Sequence, residues 1–196
     1  MTVQRKILLR SYFNRSTVTV ARSLIGKYLV RSIDGRMLAG KIIEVEAYVG
    51  SEDKACHASK GRTPRTDVMF GQAGVAYVYL IYGMYHCLNV VTEREECPSA
   101  VLIRAIEIDG ELIDGPGRLC RALQIDRRLN RVDLTTGESI WFEDRGVLVK
   151  KGEVGAHPRI GVDYADKWAK KPWRFRLRTV TASTRTRLTK KQGSAR

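Results

Sequence analysis

Residues 28–48 read YLVRSIDGRMLAGKIIEVEAY, and the order of residue types points to two antiparallel strands. Tyr28 to Ile33 is rich in β-branched and aromatic side chains, which suit a pleated, half-buried surface. Asp34-Gly35 is a pair that tolerates the positive φ angles of a tight hairpin, and the return strand runs from about Met37 to Tyr48. Upstream, Ser16-Thr17 can cap a short helix whose apolar positions Val20, Ala21, Leu24 and Ile25 recur at helical spacing, with Gly26 placed to end it. Downstream, a second hairpin is expected from Val75 to Val91, turning near Tyr82-Gly83-Met84. Val101 to Ile108 is an apolar run with Arg104 in its middle, and Gly115-Pro116-Gly117 opens a helix with Leu119, Cys120 and Leu123 on one face. Ser139–Phe142 and Val147–Lys150, joined through Asp144-Arg145-Gly146, predict a further hairpin. A short helix around Tyr164 to Ala169 and a strand from Trp173 to Arg178 follow. Strands and helices do not alternate regularly, which favours α+β with a mainly antiparallel sheet over a parallel α/β arrangement.

The chain has 196 residues, enough for one domain with its own core, expected over residues 1–183. Residues 184–196 (TRTRLTKKQGSAR) are polar and basic without apolar periodicity, and are expected to form a disordered tail with weak attraction for phosphates. No apolar run approaches the ~20 residues of a membrane-spanning helix. The N-terminal residues lack the apolar stretch and cleavage site of a signal peptide, so the expected location is the cytoplasm, in association with the nucleoid. Four cysteines are widely spaced without a CxxC pair, which argues against a zinc site and for free thiols in a reducing compartment. No feature demands a metal or an organic cofactor. A formal net charge of +14 points to a polyanionic partner.

Between Glu44 and Thr92 acids, one histidine, a basic loop and several tyrosines are gathered in a quarter of the chain. On the strand ending at Tyr48, period-2 geometry puts Ile43, Val45 and Ala47 on a core face and Glu44, Glu46 and Tyr48 on the other. A carboxylate beside an aromatic ring has its charged form disfavoured, which suits a general base. From spacing alone, a solvated sheet edge accounts for the same pattern. Glycosidases use paired carboxylates, but two acids projecting in parallel from one strand are poorly placed to flank a bond. Tyr77 and Tyr79 share a face of the next hairpin, and inward tyrosines are commonly core residues. Tyr82 and Met84 at its tip are large apolar residues that cannot avoid solvent, and such residues serve as wedges between base pairs. Lys60, Arg62 and Arg65 lie in a loop marked by Gly61 and Pro64, which suits either phosphate contact or a solvated surface. His57 stands between an acidic turn and this loop, which leaves both a structural and a catalytic role open.

EVEAY, EDKACHASKGRTPR and MFGQAGVAYVYLIYGMYHCLNV, with VLIRAIE, GPGRLCRAL and PRIGVDYADKWAKKPWRF, closely resemble the 3-methyladenine (alkyladenine) DNA glycosylase family of mixed α/β type. The resemblance spans about Gly26 to Leu177. It implies a single α+β domain with a curved, mainly antiparallel sheet, flanking short helices and a protruding β-hairpin. The implied activity is base-excision repair: damaged, alkylated or deaminated purines are flipped out of duplex DNA and their N-glycosidic bond is hydrolysed. Carried onto matching positions, Glu46 activates the water and Arg104 helps hold it. Tyr48, His57 and Tyr79 enclose the base, and Asn89 crowds the place of guanine's exocyclic amine. Tyr82 fills the gap in the duplex with Met84 beside it. A monofunctional, monomeric enzyme is expected, because no lysine sits within the cluster of acids and aromatics. The competing readings are a non-catalytic binder that kinks duplexes with Tyr82, and a hydrolase of free nucleosides or sugars.

Overall fold

A computed structural model of the chain describes residues 5–178; the expected tail at 184–196 lies outside them. Ten strands form one antiparallel sheet: β1 (Lys6–Ile7), β2 (Tyr28–Ile33), β3 (Arg36–Tyr48), β4 (Ala76–Ile81), β5 (Tyr85–Val91), β6 (Ala100–Ile108), β7 (Glu111–Asp114), β8 (Ile140–Asp144), β9 (Val154–His157) and β10 (Arg174–Leu177). The main path runs β1-β8-β2-β3-β6-β5-β4, and the sheet curls. It branches at β3: beyond Lys41, where β2 ends, the free edge is taken by β10, which carries β9 on its other side. Short helices α1 (Arg10–Phe13), α2 (Thr17–Leu24) and α3 (Pro116–Ala122) flank it. The expected α+β class and curved antiparallel sheet are therefore present. No helix among the described residues is long and apolar enough to cross a membrane.

The first hairpin pairs Tyr28 with Lys41 through Ile33 with Arg36, with Asp34 and Gly35 at φ 48° and 78°. One face of the sheet packs with α2 and α3 into the main core. Val20 and Leu24 of α2 and Leu119 of α3 meet Val45, Ala47, Leu88, Val90, Ile103, Phe142 and Phe175 there. The opposite face carries a second cluster of Cys56, Ala58, Val68, Met69, Tyr77, Val91 and Ala100, beneath the excursion that contains 3₁₀ turns at His57–Lys60 and Asp67–Phe70. Tyr48 and Tyr79 pack against this second cluster, as alternation from Ala47 and Val78 requires.

Four expectations need correction. Residues 147–150 form no strand, because β8 is already paired on both edges, by β1 and β2, and offers no ladder to a returning segment. Ser16 stands at the N-cap of α2 without a side-chain hydrogen bond; the Glu93 carboxylate, from across the fold, accepts the Thr17 N–H at 3.1 Å and the Thr17 hydroxyl as well. Ile43 is buried but stands apart from the main core, where Ile42 takes its place. The helix expected at 164–169 is a 3₁₀ segment, Asp163–Trp168, interrupted at Asp166 with φ 49°.

Because Glu93 supplies the cap that Ser16 does not, Glu93→Ala should lower stability by about 1 kcal/mol. Ser16→Ala should change it by a few tenths at most. Urea midpoints with unchanged m-values would show this, and equal effects of the two substitutions would contradict it.

Candidate active site

The misplaced Ile43 marks a double irregularity between β3 and β6. Ile42 faces Ile106, Glu44 faces Ala105 and Val45 faces Ile103, so Ile43 and Arg104 stand opposite nothing. Extra residues of this kind re-aim side chains and are frequent beside functional sites. In both strands the core-facing set changes parity here, from Ile42 to Val45 and from Ile106 to Ile103. Arg104 thereby turns to the same face as Glu44 and Glu46. Beyond the irregularity, Glu46, Leu102, Asn89 and Tyr77 are successive cross-strand partners on β3, β6, β5 and β4. They make a single row across the sheet.

Glu46 is fully buried and all its hydrogen bonds come from this face. Its Oε2 accepts from the Tyr48 hydroxyl at 2.8 Å and from Arg104 Nη1 at 3.3 Å, and Oε1 accepts from the Ile160 N–H at 2.8 Å. Burial raises its pKa above the ordinary glutamate value; the Arg104 charge and the Ile160 and Tyr48 hydrogen bonds oppose the rise. Arg104 also donates through Nε to Glu44 Oε1 at 3.1 Å, and so spans both carboxylates. Glu44 is buried too, and takes further charge from Arg174 at 3.2 Å and from Arg176, both on β10.

Tyr48, Arg104 and Ile160, the three partners of Glu46, line a cleft of 460 Å³. His57, Tyr77, Tyr79, Cys87, Asn89 and Leu102 line it as well, with Arg118 and Arg121 of α3 on the side nearest the hairpin tip. The rings of His57 and Tyr79 meet edge to face at 4.7 Å, and His57 Nδ1 is 2.9 Å from the Tyr77 hydroxyl. Burial, with the nearby charges of Arg65 and Lys60, lowers the His57 pKa to about 4, so the imidazole is neutral at physiological pH. Burial also pushes the Tyr48 and Tyr79 hydroxyls well above the ordinary tyrosine range. Asn89 is buried and donates its amide to the Tyr77 carbonyl at 3.0 Å, which fixes its orientation.

The β4–β5 hairpin carries its tip past the cleft. Tyr82 is 83% exposed at φ 54°, an uncommon angle for a residue with a side chain, and Met84 is 65% exposed. Tyr82 lines the cleft. Directly after the turn, Tyr85 lies so close to α3 that a Cβ on Gly117 would come within 2.9 Å of its ring. Of the three basic loop residues, Lys60 and Arg65 are exposed with no carboxylate partner among the described residues, whereas Arg62 is held by Asp67 at 2.8 Å and Glu96 at 3.0 Å. Arg65 lies over the Tyr79 ring, 4.9 Å from its centroid.

Several residues of this site are not apparent in the sequence alone. Glu44 reads there as one of two surface acids, and its partners Arg174 and Arg176 are some 130 positions away. Arg159, whose side chain is fully buried, forms a two-pronged pair with the equally buried Asp53 (Nη2–Oδ1 2.8 Å) and also donates to the Ala47 carbonyl. Its guanidinium lies between the rings of Tyr48 and Trp173, at 4.8 and 5.2 Å. The Ile160 N–H, one residue after Arg159, is a further partner of Glu46 from a segment distant in sequence.

A model of the family described as methylpurine-DNA glycosylase (MPG) matches residues 11–181. A provisionally named 3-methyladenine DNA glycosylase of Methanocella arvoryzae is 52% identical over 185 residues, covering 86% of this chain and 91% of its own. Proteins given the same provisional name in Myxococcus xanthus and Clostridium perfringens are 50% and 41% identical, each over 86% of this chain and over 88% and 94% of their own. With a match that spans β2 to β10 and the cleft, the chain belongs to the methylpurine-DNA glycosylase family, enzymes that act on alkylated bases in DNA.

Proposed function

We propose that this chain is a monofunctional DNA glycosylase that draws a damaged purine, alkylated or deaminated, out of duplex DNA and hydrolyses its N-glycosidic bond. The observation that carries the reading is a buried carboxylate, Glu46, held by Arg104 directly behind the wall of an aromatic cleft. A base inside a duplex is out of reach, so the nucleotide leaves the stack at a cost of a few kcal/mol, least for a damaged base. The flipped ring lies against Tyr48, His57 and Tyr79, and stacking of this kind contributes about 1–3 kcal/mol per base with little dependence on ring substituents. Tyr82, already exposed, occupies the vacated space with Met84 beside it. Lys60 and Arg65 contact phosphates, and Arg62 joins them if it exchanges its acid partners for the backbone. Asn89, locked by its bond to the Tyr77 carbonyl, leaves no room for the exocyclic amine of guanine.

Water approaches from the cleft, where Arg104 and Ile160 stand before the carboxylate. Ionised Glu46 takes its proton as oxygen bonds to the sugar carbon, and the base departs with the electrons of the broken bond. The raised pKa of Glu46 makes it a better proton acceptor, while the Arg104 charge opposes the rise and favours the ionised form. Among the described residues no lysine lines the cleft, which supports water rather than an amine as nucleophile. The reading takes the enzyme as a monomer acting on double-stranded DNA.

Duplexes with one hypoxanthine, ethenoadenine or 3-methyladenine, treated with alkali after incubation, report excision directly. Glu46→Gln should lower the single-turnover rate by at least 10²-fold while lesion-duplex binding stays within a few-fold of the parent. An undiminished rate would remove Glu46 from the chemistry, and lesion binding without excision by the parent would favour a non-catalytic binder. Tyr82→Ala should slow excision from duplexes by roughly tenfold and leave single-stranded substrates nearly unaffected. Equal effects on the two would dismiss the wedge.

A further inference from the structure

Both stacking tyrosines of the cleft already carry a cation. The Arg159 guanidinium is 4.8 Å from the centroid of Tyr48, and that of Arg65 is 4.9 Å from Tyr79. Neither arginine lines the cleft that the two rings do line. Arg65 instead borders a separate hollow that shares Tyr77 and Tyr79 with the cleft and is walled beyond them by Arg127 and Asn130. Arg159 is enclosed between Tyr48 and Trp173 and pinned to Asp53. The two guanidiniums thus lie behind the rings, away from the space a base would enter.

A ring face attracts a cation through its quadrupole, and a cation already bound on one side draws that electron density away from the other. A second positive ring stacked in the cleft would also face the first charge across the aromatic plane, with the ring rather than water lying between them. Glu46 is already paired with Arg104 and Asp53 with Arg159, which leaves the Arg65 charge without a carboxylate partner among the described residues. The neutral His57 adds no charge of either sign. A neutral purine with a modified edge, such as a deaminated or etheno base, meets no such repulsion and keeps the whole benefit of stacking.

We infer that Arg65 and Arg159 are specificity-determining residues: by loading the outer faces of Tyr79 and Tyr48 they tilt the pocket toward neutral damaged purines and against those with a fixed positive charge. The inference rests on the glycosylase reading and adds to it the electrical class of the preferred substrate. Alkylated bases that carry a charge are still excised, because their bond to the sugar is intrinsically weak, but they gain less from the pocket than bare tyrosine faces would give.

Arg65 is exposed and unpaired with any acid among the described residues, so its replacement leaves the core untouched. Single-turnover rates for 3-methyladenine, introduced by methylation, and for ethenoadenine are measured in one duplex sequence at fixed salt. Phosphate contacts then cancel in the ratio of the two rates. Arg65→Gln should raise the charged-to-neutral ratio about 3-fold, and Arg65→Lys, which keeps the charge, should leave it near the parent value. If Arg65→Gln slows both lesions by one factor, the arginine is a phosphate contact alone and the inference fails. If Arg65→Lys raises the ratio as much as Gln does, charge is not the cause, and the inference fails likewise. Should the parent excise neither lesion, the glycosylase reading falls with it, a result distinct from excision with an unchanged ratio.

Discussion

Arg104 lies between two buried carboxylates, with Nε on Glu44 and Nη1 on Glu46, and this bridge depends on the double slip between β3 and β6. A regular ladder would give Arg104 a partner on β3 and send alternate residues of both strands to the wrong face. Burying two acids on adjacent outward positions of one strand is unfavourable unless cations accompany them. Three arginines do so, one from β6 and two from β10, and removing one partner of such a buried set typically costs about 3–5 kcal/mol. The network is thus a condition for closing β10 onto β3 as well as a device for holding one carboxylate ionised.

From that bridge the remaining geometry follows. Closing β10 onto β3 brings the 157–162 segment over Glu46, where the Ile160 N–H meets Oε1 and Arg159 slides beneath Tyr48. The same row of cross-strand partners that starts at Glu46 reaches Asn89 and Tyr77. The Asn89 amide and the Tyr77 ring, whose hydroxyl meets His57, are therefore in register with the carboxylate. The hairpin that presents Tyr82 is the continuation of those strands. Glu46, Tyr48, Tyr79, Asn89 and Arg104 thus all stand on strands of one sheet, whose β4–β5 hairpin carries Tyr82 at its tip.

Much of the sheet was legible in the chain because its signals are local. Asp34-Gly35 marked the first hairpin, the tyrosine-rich run with Tyr82-Gly83-Met84 marked the second, and Gly115-Pro116 marked the start of α3. What escaped depends on partners far away in sequence. The acids of EVEAY pattern like a solvated edge and are buried only because Arg104, Arg174 and Arg176 converge on them. Alternation placed Ile43 in the core because no residue type announces a slipped ladder, and the 147–150 strand failed because both edges of β8 were already taken. Asp53 and Arg159 are ordinary surface residue types whose burial is visible only when both are in place. Residues that line the cleft were within reach of motif reading; those that hold these residues were not.

The account turns on Glu46 being a buried base whose charge Arg104 sustains. Site-resolved carbon NMR of the Glu46 carboxyl, titrated beside the acid limb of the single-turnover rate, tests this most directly. Burial predicts a titration above the ordinary glutamate range, with the rate falling as pH drops through that value, because protonation removes the base. Arg104→Gln removes the charge that opposes the rise, so resonance and acid limb should both move to higher pH together. A Glu46 that titrates at its ordinary value, or an acid limb that stays in place when Arg104 is replaced, would contradict the account.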